Sequence, residues 1–103
     1  MVKIKESSEF ERLELLLTEL CRKHELKLHI AGWTRKTFDV FFEEKRHKRT
    51  DHIARIESLA ANNGEIRFFD DRALDFAQEL GQELERGFDV KEAVLIKERR
   101  PEY

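Results

Sequence analysis

Phe38-Asp39-Val40-Phe41-Phe42-Glu43-Glu44-Lys45-Arg46-His47-Lys48-Arg49-Thr50-Asp51-His52-Ile53-Ala54-Arg55-Ile56 changes character twice. Its first third alternates, with Phe38, Val40 and Phe42 on one side of Asp39 and Phe41, and this period of two predicts a strand. Four fixed cations and a histidine then occupy positions 45–49. Burying several like charges without partners is prohibitively costly, so this run is expected on the surface. Beyond it, Thr50 reads as an N-cap, and Ile53, Ile56 and Ala60, with Leu59 alongside, recur at helical spacing. The stretch is therefore expected to be a strand, a cationic shoulder and a helix running from Thr50 to Asn62-Asn63-Gly64.

Upstream, Ser8 with Glu11 three residues later makes a capping box for a helix over about 8–24. Phe10, Leu13, Leu17 and Leu20 form its apolar stripe. Leu26, Leu28 and Ile30 alternate with Lys27 and His29, and the short connection containing Gly32 predicts a hairpin with the strand at Phe38–Phe42. Trp33 falls near its tip. Downstream, 65–69 reads as a short strand. Asp70 or Asp71 then caps a helix that buries Ala73, Phe76, Ala77, Leu80 and Leu84. Gly81 in its middle implies close packing, and Gly87 followed by Phe88 reads as its end. Ala93-Val94-Leu95-Ile96 is apolar enough for a strand buried on both faces.

These elements predict one α+β domain spanning 1–103. A mixed sheet of four or five strands is covered by three helices, in the order (β)αββαβαβ, with Val2–Lys5 as the optional first strand. With that strand the first six elements would follow the β-α-β-β-α-β order of ferredoxin-like folds. The closing strand-helix-strand implies a parallel crossover. Leu13, Leu17, Leu28, Val40, Phe42, Ile56, Phe76 and Leu80 are expected to share the core.

Composition narrows the function. The net charge of −2 disfavours a general nucleic-acid coat protein. The charge is unevenly spread, at +3 over 35–49 and −5 over 70–92, which predicts a cationic and an anionic region. A single cysteine, Cys21, excludes an internal disulfide and suits a reducing compartment. The first residues lack an apolar signal stretch, and no run of about 18 apolar residues could span a membrane. The cytoplasm is the expected location.

Chemical motifs are sparse. Cys21 and His24 have helical spacing but lack two further zinc ligands. His24 with His29, and His47 with His52, each straddle an element boundary, so no metal site is expected. The PD-(D/E)xK nuclease core requires an acid on one strand and Glu-x-Lys on the next, for a divalent cation. Glu43-Glu44-Lys45 offers the triplet, but Asp39 precedes it on the same strand; Glu65-Ile66-Arg67 offers the acid with the wrong cation. The four glycines are isolated, so there is no phosphate loop and no cofactor is expected. Asp71, Asp75 and Glu79 recur at i+4, with Glu83 nearby, as an anionic ridge.

The expectation is a non-enzymatic protein-interaction or regulatory module acting through charged surfaces. Lys45, Arg46, Lys48 and Arg49 are the expected partner contacts, with Trp33 and Arg35 as a second patch. If the hairpin adjoins the second helix, the same residues could instead meet nucleic acid, with cations on phosphates and Trp33 stacked on a base. A metal-dependent nuclease is the third reading.

Overall fold

The computed structural model describes residues 9–31, 37–44, 49–57, 64–88 and 90–99. Helix α1 (Glu9–Lys23) leads into strands β1 (Leu26–Ala31), β2 (Thr37–Glu44), β3 (Arg49–Glu57) and β4 (Glu65–Phe68). A one-turn 3-10 segment (Asp71–Ala73) precedes helix α2 (Leu74–Gly87), and β5 (Val94–Lys97) follows. The five strands lie in the order β1-β2-β3-β4-β5. The first four are joined antiparallel, and β5 runs parallel to β4 through the α2 crossover. The fold is thus α+β, with a mixed sheet and two α-helices among the described residues.

The third predicted helix does not start at Thr50: the segment from Thr50 to Glu57 belongs to β3, paired along β2 from Thr37↔Glu57 to Glu44↔Arg49, and the rest of the expected helix, 58–63, lies outside the described residues. Its fourth position in the element order is therefore a strand, and the ferredoxin-like order does not apply. The reason is a β-bulge. Val40 pairs with Ala54 and Phe41 with His52, which leaves Ile53 as an extra residue on β3. The bulge shifts the phase of alternation by one, so Ile53 and Ile56 fall three apart within a strand and imitate a helical period. The carbonyl of Ile53 accepts from Phe69 N–H at 2.7 Å, so the irregular backbone is paired on its β4 side.

Register places Phe38, Val40, Ala54, Ile56, Ile66 and Phe68 on one face of the sheet. Both helices cover that face, and Leu13, Leu17 and Leu20 of α1 join Phe76, Ala77, Leu80 and Leu84 of α2 in one buried cluster. Of the expected core, Leu13, Leu17, Val40, Ile56, Phe76 and Leu80 are buried there, while Leu28 and Phe42 are half-buried against it. Arg12 of α1 donates to the Gly87 carbonyl and lies 4.4 Å from the Phe88 ring centroid; Lys23 reaches Glu79 at 2.6 Å. The two helices therefore run antiparallel, with a cation from α1 at the negative end of α2.

Local chemistry explains the ends. Asp70 caps the 3-10 turn by accepting from Arg72 N–H at 2.9 Å. Gly64 takes φ +88°, and a Cβ there would lie 2.6 Å from Val90 Cγ1, so only glycine fits that turn into β4. A Cβ on Gly81 would lie 3.3 Å from Ala93 Cβ, just ahead of β5, and 3.9 Å from Leu95 Cδ2 within it, which is the close packing of α2 there. Strand β5 is an edge strand, with Val94 43% exposed, and is not buried on both faces. Val2–Lys5 and Ser8 lie outside the described residues.

Candidate functional site

The second face of the sheet carries no described helix. Along it register aligns Lys27 and His29 of β1, Asp39, Phe41 and Glu43 of β2, His52, Arg55 and Glu57 of β3, Glu65 and Arg67 of β4, and Val94 and Ile96 of β5. At its centre Asp39 and His52 are buried, at 6% and 3% exposure. Asp39 Oδ1 lies 2.9 Å from His52 Nε2 and accepts from Arg55 Nε at 2.8 Å. The imidazole is stacked on Phe41 at 4.9 Å and meets Phe69 edge-on at 4.9 Å.

The bulge builds this trio. In a regular strand His52 would share the face of Ala54 and Ile56; the extra residue turns it to the face of Arg55. Burial lowers the His52 pKa below its ordinary 6.5, against the opposing pull of Asp39 and of a backbone hydrogen bond with Ala54, and with Arg55 adding to the lowering. The uncharged imidazole leaves one carboxylate balancing one guanidinium. A carboxylate-held imidazole is a known arrangement for acid–base work, but such a base must reach its substrate. At 3% exposure His52 is packed among its neighbours rather than presented to a substrate.

Ion pairs cover the rest of this face. Lys27 meets Glu43 at 2.9 Å, and Arg67 lies within 3.3 Å of each of Glu57, Glu65 and Glu98. Among the described residues, Asp39, Glu43, Glu57, Glu65 and Glu98 thus stand against Lys27, Arg55 and Arg67. With the histidines neutral, the face has an excess of two negative charges.

Of the residues singled out as contacts, Trp33, Arg35, Lys45, Arg46 and Lys48 lie outside the described residues. Arg49 opens β3 opposite Glu44, so the basic run joins two strands rather than a strand to a helix. The ladder ends flanking the two clusters are Ala31↔Thr37 and Glu44↔Arg49, at opposite ends of β2. Eight residues of strand separate them by about 24 Å.

The anionic ridge is largely paired. Asp71 meets Lys97 at 2.6 Å, Glu79 meets Lys23 at 2.6 Å and Glu83 meets Arg86 at 3.1 Å. Lys23 holds the Glu79 carboxyl below the usual range. Arg72 bridges Asp70 and Asp51 at 2.8 and 3.0 Å and lies over the Phe42 ring. The nuclease acids fare no better: Glu43 and Glu65 are on strands separated by β3, each beside a cation. Among the described residues no three His, Cys, Asp or Glu side chains are grouped to hold a metal.

His24 turns its ring edge-on to Phe76 at 6.0 Å, with Nε2 3.7 Å from Glu79, beyond hydrogen-bond reach. Cys21 is buried, and desolvation pushes its thiol up to about 12. Against an ordinary 9.0, that leaves about a thousandfold less thiolate at neutral pH, and the thiolate is the nucleophile. Iodoacetamide is expected to leave Cys21 unmodified in the native protein and to label it fully in denaturant; mass spectrometry of timed samples measures this, and rapid native labelling would contradict the packing.

Comparison with protein-family models, curated proteins and solved structures finds no match. The trio itself went unpredicted. Asp39 lies 13 and 16 residues from its partners in the chain, and only the bulged register unites them.

Proposed function

We propose that this chain is a small non-enzymatic interaction module that binds a protein partner through the uncovered face of its sheet, the partner offering lysine and arginine. The observation that carries this reading is the five-to-three excess of carboxylates over cations on that face among the described residues. A phosphate backbone would be repelled there, whereas a basic protein surface would gain association rate and orientation. Five strands at about 4.8 Å spacing give a platform about 24 Å across, in the size range of one side of a standard interface. The buried trio keeps its centre rigid.

Lys45, Arg46, Lys48 and Arg49 are a second proposed contact, and Trp33 with Arg35 a third. The proposed setting is the cytoplasm; no helix among the described residues is long and apolar enough to cross a membrane.

Affinity purification from the native host, with and without nuclease, tests the reading. A discrete protein is expected to survive nuclease treatment and to be lost when Glu57 and Glu65 are both changed to lysine. Loss on nuclease treatment, or retention by the doubly reversed protein, would overturn it.

A further inference from the structure

We propose that the outer edge of β5, with the groove between β5 and α2, takes an extended basic segment of a partner protein as a sixth strand. Backbone hydrogen bonding sets the direction. Val94 N–H donates to the Gly64 carbonyl at 3.2 Å and Glu98 N–H to the Phe68 carbonyl at 2.9 Å. Alternation along the strand therefore points the N–H and C=O groups of Leu95 and Lys97 away from β4. Strand β5 ends the sheet, and among the described residues no strand stands on that side. Leu95 is half-buried, so its backbone groups are costly to leave without partners. An edge is commonly guarded by a proline, a bulge or an outward lysine. Residues 94–97 hold no proline and pair with β4 without a bulge, and Lys97 is turned onto Asp71 at 2.6 Å.

A groove of about 390 Å³ lies on the helix side of this edge, within the size range of ligand sites. Gly81, Ala93 and Leu95 line it at the helix–strand contact, and Gln78, Gln82 and Glu85 line it from α2. Every second side chain of a strand laid beside β5 would stand over it. Asp71, Asp75, Gln78, Gln82 and Glu85 follow one another at spacings of three and four, which puts them in one row. The Asp71–Lys97 bridge ties that row to β5. Asp75 and Glu85 are exposed, and among the described residues neither has a cation in reach.

Charge decides the occupant. A second copy joined edge to edge about a two-fold axis would set the acidic row against itself. A basic segment gains from the same row in association rate and register. Asp75 and Glu85 are ten positions apart, which is about 15 Å along a helix. An extended chain covers about 13 Å in four residues and returns to the same face. Lysine or arginine at i and i+4 therefore matches the two carboxylates, and an apolar residue at i+2 falls over Gly81, where α2 offers no side chain. This site is distinct from the open face of the sheet, whose Glu57 and Glu65 point away from the helices.

Two capped heptapeptides titrated into the isotope-labelled protein test this by amide NMR: Thr-Lys-Thr-Val-Thr-Lys-Thr, and its counterpart with glutamate for both lysines. The lysine peptide is expected to shift the backbone amide signals of Leu95 and Lys97 and the side-chain amides of Gln78 and Gln82. The glutamate peptide should leave them in place. Asp75→Lys with Glu85→Lys should weaken the lysine peptide by about fivefold or more. Lys97→Pro removes an outward N–H while sparing the β4 ladder, and should abolish binding. The protein carrying Glu57→Lys and Glu65→Lys should bind as the parent does. The two-peptide comparison on the unsubstituted protein stands even where a variant fails to fold. Equal shifts with both peptides, shifts confined to the open face, or none at millimolar lysine peptide would overturn the proposal. So would loss of binding in the Glu57→Lys, Glu65→Lys protein. Leu95 and Lys97 signals that move with protein concentration alone would also overturn it, by placing a second copy on the edge.

Discussion

Replacing Asp39 with alanine is expected to lower the unfolding free energy by about 3 kcal/mol, at the lower end of the cost of breaking a buried charge pair. The carboxylate is 8% exposed, and its removal strips the acceptor from both His52 and Arg55. Arg55 is 31% exposed and can turn part of its guanidinium to water, which keeps the loss from reaching the upper end. Against the 5–15 kcal/mol typical of a domain, such a loss would visibly move a urea midpoint at unchanged slope. Asp39→Asn, which retains shape and one acceptor, should cost less. The decisive comparison is Asp39→Leu with His52→Phe and Arg55→Met together. Buried ionic groups replaced by apolar ones of similar volume often cost nothing. A triple variant as stable as the parent would mean that the trio is retained for a role other than stability. A single Asp39→Ala protein with an unmoved midpoint would mean that the two hydrogen bonds contribute nothing.

How much of this was legible depends on whether neighbours in space were neighbours in pattern. Leu26, Leu28 and Ile30 against Phe38, Val40 and Phe42 made β1 and β2 readable, because both strands keep strict alternation and pair in register. The two helical stripes were readable for the same reason at a period of 3.6. The parallel β4–α2–β5 crossover followed from element order alone. Strand β3 was not readable. Its core-facing run after the bulge is only Ala54 and Ile56, and before it the core side carries Asp51, which the distant Arg72 neutralises. Polar residues on a core-facing row erase the signal that strand recognition uses. The charge asymmetry was legible as composition but not as surface. Lys23 and Lys97 approach the acidic helix from α1 and β5, so the ridge that stood out along the chain is paired across it.

Deleting Ile53 is expected to cost about 2–5 kcal/mol and to leave every other side chain of β3 on its present face, and the reason separates register from packing. The side chain is fully buried, so its loss leaves a cavity of that cost. The residue is also the extra one of the bulge. Without it Ala54 opposite Val40 and His52 opposite Phe41 become consecutive, and plain alternation holds Ala54 and Ile56 in the core and His52 with Arg55 on the open face. The contacts of Asp39 with His52 and of Asp51 with Arg72 are therefore expected to survive. The Ile53 carbonyl that accepts from Phe69 N–H is lost with the residue and adds to the cost. Ile53→Val is the control. It trims one methylene but preserves the bulge, and should cost only about 0.5–1.5 kcal/mol. Circular dichroism and urea titration of the two proteins test the contrast. A deletion protein without any cooperative transition would show that β3 needs the bulged backbone itself, and not only the side chain that fills the core.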